Sequence, residues 1–370
     1  MSDFDVIIVG GGIAGASLGA ALADRRRTLI LEAEDQCGYH TTGRSAAFWL
    51  AHYGGPEVMP LTLASGPLLE QGWPTGDRSW LRRRGAITIA RRYMDLREAL
   101  SVNSRESPLS ELKRAELEAR IPRLREGWDF GVDDPSCADI DVAGLHQACL
   151  TYFRRIGGKV LCSAPLMVAR SSGDRWAVEA GSEHFTGTVI VNAAGAWADD
   201  VARRCGVRPL GIRALRRTIV QLRIGQSGLH GLPLINDALE RFYFKGESDN
   251  RVWVSPHDET ETDPCDAAAE DLDVATAIDR FQSVVDWPVE AVERSWAGLR
   301  SFAPDRLPVF GFDSVPGFFW CAGQGGFGIQ TSPAAAKLCA ALLLEKEPGN
   351  LLGQARAAAF SPLRFDLGRK

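Results

Sequence analysis

The chain lacks most of what would mark it as a membrane, nucleic-acid-binding or metal protein. It has no run approaching about 18 apolar residues, so no spanning helix is expected. Its start, Met1-Ser2-Asp3-Phe4-Asp5, lacks the basic stretch of a secretory signal. Cytoplasmic residence is expected, with peripheral attachment to the inner face of a membrane left open. Positive charge is scarce: 42 Lys and Arg against 47 Asp and Glu give a net charge of −5, which argues against the basic surface of a nucleic-acid binder. The basic clusters Arg25-Arg26-Arg27 and Arg82-Arg83-Arg84 are short and read as solvated turns. The eight cysteines include no CxxC pair and no histidine pairs stand near them at metal spacing, so reduced structural thiols and no metal site are expected. There is no internal repeat and no low-complexity tract. At 370 residues, two domains, or one large domain with an insertion, can bury a sizeable core.

What the chain has is a nucleotide-binding start. Asp5-Val6-Ile7-Ile8-Val9 reads as a strand that runs into Gly10-Gly11-Gly12-Ile13-Ala14-Gly15 and a helix to about Ala23, and a second strand, Thr28–Leu31, closes on Glu32-Ala33. Gly10 permits the tight turn, Gly12 lets the backbone approach a pyrophosphate, and Gly15 lets the helix pack closely on the sheet. The N–H groups around Gly12, Ile13 and Ala14, at the positive end of the helix dipole, face the phosphates. Glu32 is placed to accept from a ribose diol and would repel a 2′-phosphate.

Further pieces of such a domain recur far along the chain, so the domain is discontinuous. A helix is expected over Val142–Ile156, capped by Asp139 and Asp141 and closed by Gly157-Gly158. Strands are expected at Lys159–Cys162, Trp176–Ala180 and Thr188–Asn192, and after Phe318–Cys321 and a glycine-rich segment a helix from about Ser332 to Glu345. Between these pieces, residues 79–137 and 207–298 alternate apolar and polar. Ala86–Ala90, Ile219–Leu222, Phe242–Lys245 and Arg251–Ser255 read as antiparallel strands, Asp249-Asn250 as a hairpin tip and Asp273–Val285 as a helix. The expected architecture is an α/β, Rossmann-like domain of residues 1–78, 138–206 and 299–370, with an inserted α+β domain, an antiparallel sheet of residues 79–137 and 207–298, over the reactive end of the cofactor.

Three segments narrow the dinucleotide to a flavin. Gly38–Ala47 packs Thr41, Thr42, Gly43, Arg44 and Ser45 before Ala46 and Ala47, a combination suited to a pyrophosphate and a ribityl chain. Asn192–Trp197, with Ala194 and Gly195, lets backbone approach the adenine side. Gly323–Gly328 puts bare N–H groups at a helix start, where they could stabilise negative charge on a reduced flavin. These segments, with Trp296–Phe302 and Gln324–Ser332, resemble the D-amino-acid oxidase superfamily over essentially the whole length, and within it the bacterial D-arginine dehydrogenases most. The resemblance implies non-covalent FAD, held also by Trp197, Arg300, Gly325, Gly326, Gly328, Ile329, Gln330 and Thr331, and oxidation of an amino acid Cα–N bond by hydride transfer to flavin N5. The product is a 2-oxo acid and ammonia. Leu299-Arg300-Ser301-Phe302 lacks the cysteine that tethers flavin in sarcosine-oxidase-like relatives.

Carried over residue by residue, the carboxylate clamp falls on Arg300 with Arg217 and Tyr243, and Tyr53 lies at the substrate side of a loop. A guanidinium binds a carboxylate bidentately, which makes the assignment physically sensible. Arg216 adjoins Arg217 and either could face inward. Gly326 is placed at the substrate. Departures from the arginine-specific pattern are Ala86 for a glutamate, Phe48 for a histidine and Leu50 for a threonine, so a basic side chain would enter without a partner. The expected substrate is a D-amino acid with a small or apolar side chain. His52, the only histidine placed near the pocket, reads as a surface residue. A secondary amine, an imino acid or a 2-hydroxy acid on the same fold, a flavin-binding redox or regulatory module, and an NAD-dependent dehydrogenase are alternatives. The electron acceptor (quinone, carrier or O2) and the oligomeric state are open.

Overall fold

The computed structural model describes residues 2–22, 24–101, 109–346 and 357–365, which leaves Met1 and Ala23 outside the described residues. The apolar run after Asp5 forms the middle of an eight-stranded sheet. Ser2–Val9 pairs in parallel with Thr28–Leu31 on one side and Glu183–Asn192 on the other. Its side chains alternate as a strand buried on both faces requires. Val6 and Ile8 pack with the helices Ile13–Leu22, Val142–Arg155 and Gly328–Leu343. Ile7 and Val9 face Trp176, Val178, Ala198 and Val201 on the other side. Glu183–Asn192 carries two neighbours on its second edge, Arg175–Ala180 antiparallel along its first half and Phe318–Ala322 parallel along its second.

Two glycines make the first turn possible. Gly10 has φ +110°, and a Cβ there would lie 2.4 Å from the Ala193 carbonyl oxygen. A Cβ on Gly15 would lie 2.0 Å from the Gly10 carbonyl oxygen, so the helix start can approach the strand end only without side chains.

The second sheet has ten strands. Arg213–Ile224 and Val289–Phe302 form its longest pairing, followed by Arg251–Ser255 and Tyr243–Ser248, whose hairpin turns at Asp249-Asn250. The sheet is not wholly antiparallel as expected: Leu234–Asp237 pairs in parallel with Ala86–Ala90. Val289–Phe302 also runs through the expected boundary at residue 299, because its last residues pair with Gln324–Gly325. A small third sheet joins Phe48–Trp49, Ala138–Ile140 and Leu81–Arg83.

Four local readings need correction. The last helix starts at Gly328, not near Ser332. Pro333 lies inside it, and the Ile329 carbonyl that a proline cannot serve accepts from Ser332 Oγ instead (2.9 Å), so the helix runs through. Asp141 alone caps its helix, accepting from Gly144 N–H at 2.9 Å. Asp139 instead binds Arg82, Arg84 and Lys245, so Arg82-Arg83-Arg84 is not a turn: Arg82 and Arg83 are exposed residues of the strand Leu81–Arg83, and the Arg84 side chain is buried against Asp139. The second-sheet helix is Asp271–Gln282. No helix among the described residues is long and apolar enough to cross a membrane.

Candidate active site

A cavity of about 430 Å³ opens between the carboxyl ends of the parallel strands and the face of the ten-stranded sheet. That is where a doubly wound sheet binds its ligand. Its floor is Gly10, Gly12, Ile13 and Ala14, with Glu32 and Ala33 at one end. Thr41, Thr42, Arg44, Ser45 and Ala46 form one wall, and Ala194, Gly195 and Trp197 another. Arg217, Tyr243, Arg300, Gly325, Gly326, Gly328 and Ile329 close the far end.

Glu32 is held by backbone: Oε2 accepts from Gly11 N–H (2.8 Å) and Oε1 from Glu34 N–H (3.0 Å). Each oxygen keeps lone pairs for a ribose hydroxyl. Thr42 Oγ1 accepts from Ile13 N–H at 3.0 Å, so this donor of the helix start is already engaged. Arg44 lines the cavity but is already engaged by protein groups. Its guanidinium donates to the Ala267 and Ala297 carbonyls (2.7 and 3.2 Å) and pairs with Asp266, tying the wall to the second sheet.

Five residues expected at the cofactor stand behind the lining. Gly15 and Gly43 serve close backbone approach, Gly43 N–H donating to the Gly38 carbonyl. The Ala47 carbonyl accepts from Ile140 N–H, and Thr331 Oγ1 donates to the Phe327 carbonyl. Gln330 is buried, accepts from Leu50 N–H and donates to the Tyr53 carbonyl and Thr62 Oγ1. It therefore fixes the loop that carries Tyr53.

At the far end Arg300 Nη1 donates to Tyr53 Oη at 2.8 Å. Arg217 donates from Nε to the Asp258 carbonyl (2.7 Å) and from Nη2 to Glu259 (3.3 Å), while its buried Nη1 has no partner. Burial and the Arg300 charge bring the Arg217 pKa down to about 10, so it stays a cation at neutral pH. Arg216, its neighbour, points the other way and pairs with Glu270 and Asp273, as alternation along a strand demands. Burial pushes the Tyr243 phenol up against the pull of both arginines, which keeps it a neutral hydrogen-bond donor.

Phe48, Leu50 and Ala86 do not line the open cavity. They gather behind it with Tyr243, Ile219 and Leu234 in one apolar cluster against which Tyr53 also packs, and the Phe48 ring meets Tyr243 edge-on at 5.8 Å. His52 is not a surface residue: its side chain is 16% exposed, and Nδ1 lies 3.6 Å from the buried Asp134 Oδ2. Burial lowers its pKa against the pull of Asp134. Nor is it the only histidine here. His257 meets the Tyr243 ring at 5.9 Å, and burial with the charges of Arg217 and Arg300 drives its pKa down to about 2, so it is neutral in use. It follows a strand end with φ 57°, and no periodicity in the sequence points to it. Among the described residues no cluster could hold a metal ion.

The residues fit a dinucleotide with a flavin. The glycine floor admits backbone approach, and His40, whose Nε2 lies 2.9 Å from Glu34 Oε1, presents a buried Nδ1 without a partner in the cavity wall. The family model for FAD dependent oxidoreductases of the DAO type matches residues 5–342. The chain belongs to this family. FAD is accordingly the cofactor of this oxidoreductase.

Among curated proteins, the oxidoreductase is 26% identical over 364 residues to glycine oxidase of Geobacillus kaustophilus (strain HTA426), over 93% of this chain and 94% of the relative. The crystal structure of glycine oxidase from Geobacillus kaustophilus matches with a TM-score of 0.84 at 24% identity, over 98% and 99% of the two chains. L-proline dehydrogenase from P. horikoshii matches with a TM-score of 0.85 at 17% identity, over 100% and 99%. These two structures show the fold.

In this flavoenzyme Glu32→Arg should raise the FAD dissociation constant by about 10–100-fold, since charge-assisted hydrogen bonds at Glu32 are lost and a cation replaces the acceptor. Flavin fluorescence during titration of apoprotein reads it. An unchanged affinity would place the ribose elsewhere.

Proposed function

We propose that the protein oxidises the Cα–N bond of a D-amino acid with a small or apolar side chain, releasing a 2-oxo acid and ammonia after hydrolysis of the imino acid. One observation carries this reading: Arg217 and Arg300 line the same cavity end, and Arg217 Nη1 is buried without a partner. Two guanidiniums facing one space need an anion there, and a carboxylate matches their planar donors. The Gly10–Ala14 floor and Glu32 would hold FAD, which would supply the acceptor for a hydride from the substrate Cα.

The chain itself supplies position. Arg300 and Tyr53 orient the carboxylate, and Tyr243 donates a neutral hydroxyl beside them. Gly326 allows the approach, because a Cβ there would lie 2.6 Å from Tyr53 Oη and 2.9 Å from Arg300 Nη1. His257, with its pKa lowered to about 2, is too weak a base to hold a proton taken from an ammonium, which suits a substrate that enters with a neutral amine. The apolar cluster of Phe48, Leu50 and Ala86 supports a small or apolar side chain. The likeness to glycine oxidase, whose name gives the smallest amino acid as substrate, points the same way. The D configuration rests on the resemblance to the D-arginine dehydrogenases in the Gly38–Ala47 and Trp296–Phe302 segments.

Anaerobic bleaching of the bound flavin by a panel of D- and L-amino acids, secondary amines and 2-hydroxy acids tests the reading. Small or apolar D-amino acids should bleach fastest. Preferential bleaching by a secondary amine or a hydroxy acid would replace it.

Selectivity gives a sharper expectation. Ala86→Glu should raise the kcat/KM ratio of D-arginine to D-alanine by about 10-fold or more, as a buried carboxylate gives the cation a partner. A wild type that already prefers D-arginine would show that another acid, Asp134 on the neighbouring strand being the nearest by pairing to Ala86, serves the substrate side chain.

A further inference from the structure

Cys37 and Cys162 are 125 residues apart in sequence, yet their sulfurs lie 3.9 Å apart, and both are half-buried. The backbone holds them there. Lys159–Leu161 is the edge strand beside Thr28–Leu31. Just beyond it Ser163 N–H donates to the Glu34 carbonyl (2.7 Å) and Ala164 N–H to the Glu32 carbonyl (2.8 Å). Both thiols therefore stand at the end of the cofactor cavity that holds Glu32, and a Cβ on Gly11 would lie 2.5 Å from Cys37 Sγ.

A second pair supplies the contrast. Cys321 and Cys339 have sulfurs 4.0 Å apart, but they are 2% and 0% exposed inside the core. Cys37 instead lines a second cavity of about 870 Å³ on the far side of the Gly38–Ala47 wall, through which a small oxidant reaches it. Equal spacing with unequal access separates the two pairs.

We propose that Cys37 and Cys162 are an oxidisable thiol pair that closes to a disulfide in the presence of a peroxide, clamping the Glu32 end of the FAD site to the edge strand. The inference does not depend on the identity of the substrate. Burial, with Cys162 and Glu32 adding to it, pushes the Cys37 thiol up to about 12, so the pair stays reduced until a peroxide enters the cavity that Cys37 lines. One thiol of the pair, deprotonated, attacks one oxygen of hydrogen peroxide, the O–O bond breaks, and a sulfenic acid forms as hydroxide leaves and takes up the thiol proton to become water. The other sulfur then attacks the sulfenic sulfur, the S–S bond forms, the S–O bond breaks, and the hydroxyl departs with the second thiol's proton as a second water. Two thiols lose two electrons in all, and one peroxide gains them.

The experiment uses the FAD-loaded full chain treated with hydrogen peroxide, alkylated at intervals and mapped by mass spectrometry. A Cys37–Cys162 cross-linked peptide should appear at least about 10-fold faster than a Cys321–Cys339 one, because only the first pair meets the oxidant. The cross-linked protein should release FAD more slowly on dilution and melt about 3–5 °C higher, as expected for closure of a long loop. Cys162→Ser should show neither change under peroxide, and Cys37→Ser serves the same purpose if that variant folds poorly. Equal rates for the two pairs, or independent over-oxidation of Cys37 and Cys162 without a cross-link, would overturn the pair. Cross-linking with unchanged FAD release would overturn the clamp.

Discussion

Arg300→Met should lower kcat/KM by about 10–1000-fold for every substrate the enzyme accepts, most of it as a raised KM. The loss corresponds to about 1.5–4 kcal/mol of charge-assisted hydrogen bonding to the substrate carboxylate. Burial opposes the charge of Arg300, but Tyr53, Tyr243 and Glu259 outweigh it and raise its pKa, so the residue is a permanent cation aimed into the cavity. Methionine keeps much of the stem volume and removes the donors, and Tyr53 then loses its 2.8 Å partner. The variant should still carry FAD, which its absorbance reports. Steady-state kinetics identical to wild type in a flavin-loaded protein would remove Arg300 from substrate binding and with it the proposed clamp.

Asp139→Asn should destabilise the protein by about 3–5 kcal/mol at neutral pH, since it strands buried cations. Asp139 accepts from Arg84 Nε at 2.8 Å, Arg82 Nη2 at 2.9 Å and Lys245 Nζ at 3.2 Å. The Arg84 and Lys245 side chains are only 4% and 7% exposed. Lys245 also lies over the Phe48 and Trp253 rings, at 5.1 and 4.6 Å, so the carboxylate joins the small sheet to the strand that carries Tyr243. In a chain this long the effect amounts to a melting temperature lower by about 4–7 °C.

The pH dependence carries a sign. Burial raises the Asp139 pKa, but Lys245 and Arg84 together outweigh it and hold the carboxyl below its ordinary 3.8. A depressed carboxyl contributes stability that is present above the unfolded value and lost as pH falls through the folded one. The difference between wild type and variant should therefore be full at neutral pH and shrink below about pH 4. Thermal melts of FAD-saturated protein across that range decide it, and a variant as stable as wild type at neutral pH would mean that Glu247 and backbone carbonyls suffice for the two cations.

The nucleotide-binding half was legible because its information is local. Strand, glycine turn, helix and terminal acid occupy the first thirty or so residues, and each signal is a spacing that backbone geometry alone demands. Gly10 and Gly15 are read from the sequence for the reason they prove necessary, since a side chain at either would strike backbone. The long apolar run at Thr188–Asn192 announces a strand buried on both faces, and Arg251–Ser255 appears at the bounds that its alternation suggests.

Contacts between distant segments were decided only by the tertiary structure. Alternation on a strand places Arg216 and Arg217 on opposite faces, but which face is the cavity depends on how Arg213–Ile224 pairs with Val289–Phe302. Nothing local to Arg44 announces that the second sheet brings the Ala267 and Ala297 carbonyls to its guanidinium. Asp139 reads as a helix cap until Lys245 arrives from more than a hundred residues away. His257 beside Tyr243, and Cys37 beside Cys162, have no local signature at all. The sequence by itself determined the cofactor-binding unit and the residue types available for chemistry, because turns, caps and periodicity act within a few residues. The partner of each buried charge, and the residues that share the cavity, depended on packing two sheets together, which no short-range pattern encodes.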